Sequence, residues 1–273
     1  HIFKAIKGWV NEFDIDGLRL DVAYCLNHDF LRRLRSFCDS LKPDFFLLGE
    51  TLHGDYNQIM NEEMLHSVTN YECYKGLYSS FNCMNMFEIN HSLLRQFGPE
   101  NWTLYKGKHL LSFVDNHDVT RVASILNNAN HLPLIYTLAF GMPGIPCVYY
   151  GSEWGATGRK EDGDPALRVS FDTPIWNDLT TFISKLAVAK KSSNALNYGS
   201  FSSIVLTNEQ CIFLRQYNDE RVLVAINASE QPYFASFNIG TDTCTDLISG
   251  SEIKLNNGME LPGYSSFILQ PFS

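Results

Sequence analysis

The chain has 273 residues, 45% hydrophobic and 19% charged, enough for one large domain and a small one, and this composition excludes a disordered or collagen-like polymer. A formal net charge of −9, with lysines and arginines scattered rather than blocked, argues against a nucleic-acid partner or an anionic membrane surface. Seven cysteines, at 25, 38, 73, 83, 147, 211 and 244, form no C-x-x-C pair and are odd in number, so isolated buried thiols in a reducing, cytoplasmic compartment are expected.

In chain order, "DGLRLDVAY" (16–24) opens with a strand. Alternation sends Arg19 and Asp21 to one face and Leu18, Leu20 and Val22 to the other. A helix is expected from about Asn27 to Leu41, with Phe30, Leu31, Leu34 and Phe37 at helical spacing. "PDFFLLGE" is a strand, Tyr56 to Leu65 a helix, "SVTNYEC" a strand, and Tyr74 to Phe97 a long helix ended by Gly98-Pro99. "HLLSFVDNHD" is a fourth strand, "VASILNNANHLPLIYTLAF" is mostly helical, and "GIPCVYYG" is a fifth strand. Pro133 to Gly151 carries no charge over 19 residues and approaches membrane-span length, but three prolines and three glycines break it.

Short apolar strands alternating with helices predict an α/β fold with a parallel sheet. After a helix near Leu179 to Lys190 the pattern changes at "KSSNALNYGSF". From about Ala195, runs such as "CIFLRQY", "RVLVAIN" and "SSFILQP" between Asn, Asp and Gly predict an antiparallel β-sandwich. The expected domains are 1–194 and 195–273.

Three polar groups close predicted strands at their C-terminal ends, namely Asp21, Glu50 and the pair His117-Asp118. That is the rim where α/β barrels and open sheets carry their sites. Three acids on one rim suit an acid/base pair with a nucleophile, and a hard-metal site built from carboxylates is an alternative. Zinc is disfavoured, because the chain has no H-x-x-x-H.

"DGLRLDVAY", "LLGE", "FVDNHD" and "GIPCVYYGSEWG" resemble, in order and spacing, signature segments of the α-amylase superfamily of retaining glycoside hydrolases, on strands four, five, seven and eight of its (β/α)8 TIM barrel. The resemblance runs from about Asp14 to the C-terminus and includes "NALNYGSF" and "RVLVAINAS", where the family's antiparallel β-sandwich begins. It implies cleavage of α-1,4-linked glucans, with Asp21 as nucleophile, Glu50 as general acid/base and Asp118 as transition-state stabiliser. Arg19 and His117 fall on supporting positions, and Asp164 and Arg168 of "GDPALR" on a sugar-gripping element. Tyr71, Tyr150 and Trp154 are candidate faces for sugar rings. No cofactor and no metal are implied; the implied partner is an α-glucan oligosaccharide.

Tyr24 and Cys25 stand where many α-amylases have the lysine and histidine that touch the acceptor sugar. "RLDVAYCLNHDF", "GETLHGD" and "TNYECY" look closer to the neopullulanase and cyclomaltodextrinase branch, although Leu52 replaces that branch's usual tryptophan. The family's first three barrel strands should precede Asp14, where only 13 residues stand, and the chain begins at His1 without a methionine. The sequence therefore reads as a C-terminal portion whose partner is the N-terminal half of the barrel, inactive when alone. Two other readings share the resemblance, a catalytically silent ancillary subunit and a transglycosylase.

Overall fold

A computed structural model describes residues His1 to Phe272. They divide into two compact units, one of His1–Glu72 with Lys108–Leu111 and one of Cys73–Gly107 with Ser112 onward.

The first unit runs α1 (Ile2–Phe13), β1 (Gly17–Leu20), α2 (His28–Leu41), β2 (Phe46–Gly49) and β3 (Ser67–Val68). The strands form a parallel sheet in the order β1-β2-β3, with Leu20 opposite Gly49. Parallel neighbours need a helical crossover, and α2 supplies it between β1 and β2. Asn27 caps α2 by accepting the Phe30 N–H, and Leu31, Leu34 and Cys38 bury one face of the helix. On α1, Phe3 stacks on Phe37 of α2 at 4.8 Å between ring centroids. Among the described residues β1 pairs on one side only. Its free edge borders an open apolar groove lined by Ile2, Ile6, Trp9, Leu18, Leu20 and Phe30. Leu18 and Leu20 are only half-buried there, so the strand is not covered on both faces.

The second unit holds α3 (Tyr71–Asn82), which starts at the end of the first, then α4 (Met86–Phe97), β4 (Leu111–Phe113), α5 (Val122–Ile125), α6 (His131–Gly141), β5 (Ile145–Cys147), α7 (Asp164–Leu167), α8 (Asp178–Ser192) and α9 (Asn194–Tyr198). β4 pairs with β5. There follow β6 (Ser200–Leu206), β7 (Gln210–Tyr217), β8 (Glu220–Asn227), β9 (Tyr233–Ser236), β10 (Thr243–Asp246), β11 (Glu252–Lys254), β12 (Gly258–Leu261) and β13 (Ser265–Pro271). Six of these form an antiparallel sheet, β11-β10-β13-β8-β7-β6, and β12 pairs antiparallel with β9. Ile212, Leu223, Ala225 and Leu269 of the larger sheet share one core with Ala235, Met259 and Leu261 of the smaller, which is a sandwich. Asn218, at φ 51, makes the two-residue loop between β7 and β8, a left-handed position that asparagine tolerates.

Two buried cations hold helix ends, Arg215 from the sandwich and Lys190 from α8. The Arg215 guanidinium on β7 donates to the carbonyls of Gly141, Gly199 and Ser200, and Lys190 Nζ donates to those of Met142 and Leu196. Carbonyls at a helix C-terminus lack intrahelical partners and carry the negative end of the dipole. The two cations thus satisfy the ends of α6 and α9. Burial pushes the Lys190 ammonium down to about 7, with the Arg215 charge adding to the effect.

Several expected elements come out shorter. Tyr56–Leu65 is not a helix but a single 3-10 turn at Tyr56–Gln58. Asp55 and Asn61 instead bond nearby main-chain groups, Asp55 accepting the Asn57 N–H, and Asn61 donating to Asn57 and accepting the Glu63 N–H. The long helix over Tyr74–Phe97 is two helices, broken where Met84 takes φ 49. "SVTNYEC" keeps only Ser67–Val68 as strand, because Tyr71 already begins α3, and "HLLSFVDNHD" keeps only Leu111–Phe113. Cys38, Cys73, Cys211 and Cys244 are buried, but Cys25, Cys83 and Cys147 are exposed, since each lies in or beside a turn or at a strand end. No helix among the described residues is long and apolar enough to cross a membrane.

Candidate active site

In the first unit the polar groups follow two adjacent parallel strands. Asp21 is the residue after β1, and Glu50 the residue after β2. The paired ends, Leu20 opposite Gly49, put both carboxylates on the same rim. Gly49 has to lack a side chain: a Cβ there would fall 2.5 Å from Leu65 Cδ1 and 2.8 Å from Ala23 Cβ. Arg19 joins the two acids, its Nη1 lying 2.5 Å from Asp21 Oδ1 and its Nη2 2.8 Å from Glu50 Oε1. Glu50 is nearly enclosed, while the Asp21 side chain is 76% exposed.

The chain ends β1 at Leu20, so Val22 does not alternate with Leu20 as a strand residue would. It takes φ 46 and ψ 44, the left-handed region that a β-branched residue rarely occupies. The strain turns the Val22 N–H onto Glu50 Oε2 at 3.1 Å, and the next N–H, of Ala23, bonds the Glu50 carbonyl at 2.9 Å. Glu50 is therefore fixed by a guanidinium and two main-chain donors. Tyr24 is half-buried, with its ring 5.4 Å from that of His53 and tilted to it.

In the second unit Asp118 lies in the loop after β4. His117 Nε2 stands 3.0 Å from Asp118 Oδ2, and Arg168 Nη2 3.1 Å from Asp118 Oδ1. The Asn116 side chain accepts the Asp118 N–H. Arg168 also reaches Asp164 at 3.6 Å, so one guanidinium spans both acids. Beside it Tyr150, Trp154 and Phe171 form an aromatic corner, with Phe171 edge-on to both partners at 5.7 and 5.1 Å. Together with Arg168 they line an open cleft of about 490 Å³. Tyr71, the third aromatic candidate, is the half-buried first residue of α3.

Behind this cleft sits a pair that sequence reasoning left without a role. Asp115 is 1% and Arg121 0% exposed. Asp115 Oδ2 accepts the Val122 N–H and the Ser152 hydroxyl, yet burial outweighs both and pushes the carboxyl up to about 6. Tyr149 and His53 were also missed. Asp115 stands inside the quoted "FVDNHD" and Arg121 three residues beyond Asp118, so proximity to the motif was the available signal. Among the described residues no group of three or more His, Cys, Asp or Glu side chains is placed to hold a metal ion.

Residues 1–196 match the family described as "Alpha amylase, catalytic domain", and residues 205–268 the one described as "Maltogenic Amylase, C-terminal domain". A cyclomaltodextrinase of Thermoanaerobacter pseudethanolicus is 27% identical over 99% of the chain, which covers 47% of that protein. A maltogenic alpha-amylase of Bacillus acidopullulyticus is 30% identical over 96% of the chain and 46% of its own length. The chain thus spans about half the length of these curated relatives. Among solved structures, an Anoxybacillus alpha-amylase superposes over 100% of the chain and 62% of its own length, with a TM-score of 0.83 and 25% identity.

Proposed function

Since the chain belongs to the α-amylase family, with the catalytic barrel segment followed by the C-terminal sandwich, we propose that the protein carrying it cleaves α-1,4-glucosidic bonds of maltodextrins by double displacement. Asp21 is the nucleophile, Glu50 the general acid/base and Asp118 the stabiliser of the charged transition state. In the first step Glu50 gives its proton to the leaving glycosidic oxygen while an Asp21 oxygen bonds to the anomeric carbon. In the second, Glu50 takes a proton from water as the water oxygen replaces Asp21 at that carbon, restoring the starting configuration. The single observation that carries this reading is Arg19, which bridges Asp21 and Glu50 at 2.5 and 2.8 Å from adjacent strand ends. One planar guanidinium in contact with both carboxylates fixes their spacing and orientation on the rim.

The same two carboxylates serve hydrolysis and transglycosylation, which differ in whether water or a sugar hydroxyl meets the glycosyl-enzyme. Tyr24 beside His53 gives the acceptor side an aromatic surface, which suits short or cyclic maltodextrins over granular starch. His117, Asp164 and Arg168 contact the sugar on the donor side, with Tyr150 and Trp154 as ring faces. The catalytic segment is assigned to 1–194 and the sandwich to 195–273. The free edge of β1 and its apolar groove are covered by further barrel strands of the same protein or a partner, which the greater length of the relatives supports. The test is product analysis on maltotriose, cyclodextrin and pullulan. Release of maltose and glucose from the first two supports the proposal; action on none of the three refutes it.

A further inference from the structure

Arg121 is the largest wholly buried side chain of the second unit's α/β part, and it is a cation whose hydrogen-bond acceptors are all neutral. Its Nη1 donates to the Tyr150 carbonyl at 2.8 Å and the Ser152 hydroxyl at 3.1 Å, and its Nη2 to the Leu167 carbonyl at 2.9 Å. Its own N–H bonds the Gly158 carbonyl at 2.9 Å. The guanidinium carbon also lies 4.6 Å from the Tyr149 ring centre and 5.3 Å from that of Tyr150. One residue therefore fastens the segment after β4 to successive turns after β5.

Two of these attachments matter for chemistry. Arg121 is three residues past Asp118, and its Nη2 holds the carbonyl of Leu167, the residue before Arg168. The Tyr149 hydroxyl donates to the same Leu167 carbonyl at 3.1 Å. The Asp118–Arg168 contact at 3.1 Å is thus braced from beneath at both of its ends. Ser152 completes the brace, because its hydroxyl contacts Arg121 and donates to Asp115 Oδ2 at 2.7 Å. A planar fork with donors in fixed directions suits this task, and a lysine ammonium, with one nitrogen, cannot reach both walls.

We propose that Arg121 is a positioning residue for the Asp118–Arg168 pair, setting the spacing between the transition-state stabiliser and the donor-side sugar contact. The proposal rests on the functional reading above and adds a residue that touches no substrate. Loss of the fork lets Leu167 and Arg168 drift from Asp118, so binding of longer donors and the chemical step both suffer.

The experiment compares wild type, Arg121→Lys, Arg168→Ala and the double variant in the full protein, on maltotetraose. Arg121→Lys is expected to raise KM about tenfold and lower kcat, within the hundredfold that a small misplacement can cost. The effect on KM should vanish when Arg168 is already alanine, because Arg121 acts through it. Additive effects on KM, or an unchanged KM in Arg121→Lys, overturn the proposal. Ser152→Ala, which removes one strut and keeps the charge, is the milder variant and should show the same coupling at smaller size. A crystal structure of either variant reads the geometry without turnover: the Asp118–Arg168 contact should open beyond 4 Å, and an intact contact contradicts the proposal. Absence of turnover in wild type refutes the functional reading, and the crystal structure still decides on Arg121.

Discussion

The chain uses arginine in two ways, shown by Arg19 of the first unit and by Arg121 and Arg215 of the second, while Arg168 of the second unit, half-exposed against Asp118 and Asp164, follows Arg19. In the first, Arg19 meets carboxylates at a rim, where Asp21 remains 76% exposed. In the second, Arg121 and Arg215 are wholly or almost wholly buried and meet main-chain carbonyls. A rim arginine costs little desolvation and orients reacting groups; a buried one loses its water and must be repaid by several well-placed acceptors. The chemistry proposed above draws on the first arrangement at Arg19, and the second holds loops and helix ends.

Substitutions should separate the two uses cleanly. In the full protein, Asp21→Asn should lower kcat about a thousandfold or more while oligosaccharide binding stays measurable by calorimetry, because the nucleophile acts in the chemical step. A variant keeping a tenth of wild-type kcat breaks the assignment. Arg215→Ala should leave kcat per folded molecule unchanged and lower stability by about 3 kcal/mol, since it strands the buried carbonyl of Gly141 and the part-buried ones at Gly199 and Ser200. Denaturant unfolding measures it, and a loss below about 0.5 kcal/mol, the ordinary surface range, contradicts the cap role.

How far each unit was legible follows from the same contrast. The placement of Arg19, Asp21 and Glu50 at one rim could be read because all three are side chains that stand at fixed spacing beside apolar strands. Arg121, Arg215 and Lys190 could not, because a carbonyl acceptor leaves no letter in the sequence. The strands β7, β8 and β13 were readable from alternation and bounding turns, and their positions agree with "CIFLRQY", "RVLVAIN" and "SSFILQP". The Tyr56–Leu65 region misled, since its helical spacing of Tyr56, Ile59, Met60 and Met64 is a core pattern served instead by a loop that Lys108 pins through Asn57 and Met60. The left-handed turn at Val22 had no signal at all, as valine is the residue least expected there.

A gentler probe uses pH. The Lys190 ammonium titrates near 7 in the folded protein against an ordinary value of 10.5, so between these values the unfolded chain binds a proton the folded one lacks. Stability should therefore rise as pH goes from 7 toward 10. Lys190→Met should remove that rise, read as unfolding midpoints across the range; a parallel slope in both proteins removes Lys190 as its source. At the surface, Asp29→Ala breaks the exposed pair with Arg32 and should leave the unfolding midpoint essentially unchanged. A clear fall in the midpoint would mean that exposed pairs here are not marginal.

The most direct test is chemical trapping in the full protein. A maltosyl fluoride bearing an added fluorine on the reacting sugar lets the carboxylate displace fluoride from the anomeric carbon but slows attack by water, so the glycosyl-enzyme accumulates. Mass spectrometry of the digested protein should find the added fluoromaltosyl mass on the peptide containing Asp21, and none in Asp21→Asn. Turnover of unmodified maltosyl fluoride with no such adduct, or an adduct on any other residue, would contradict the assignment.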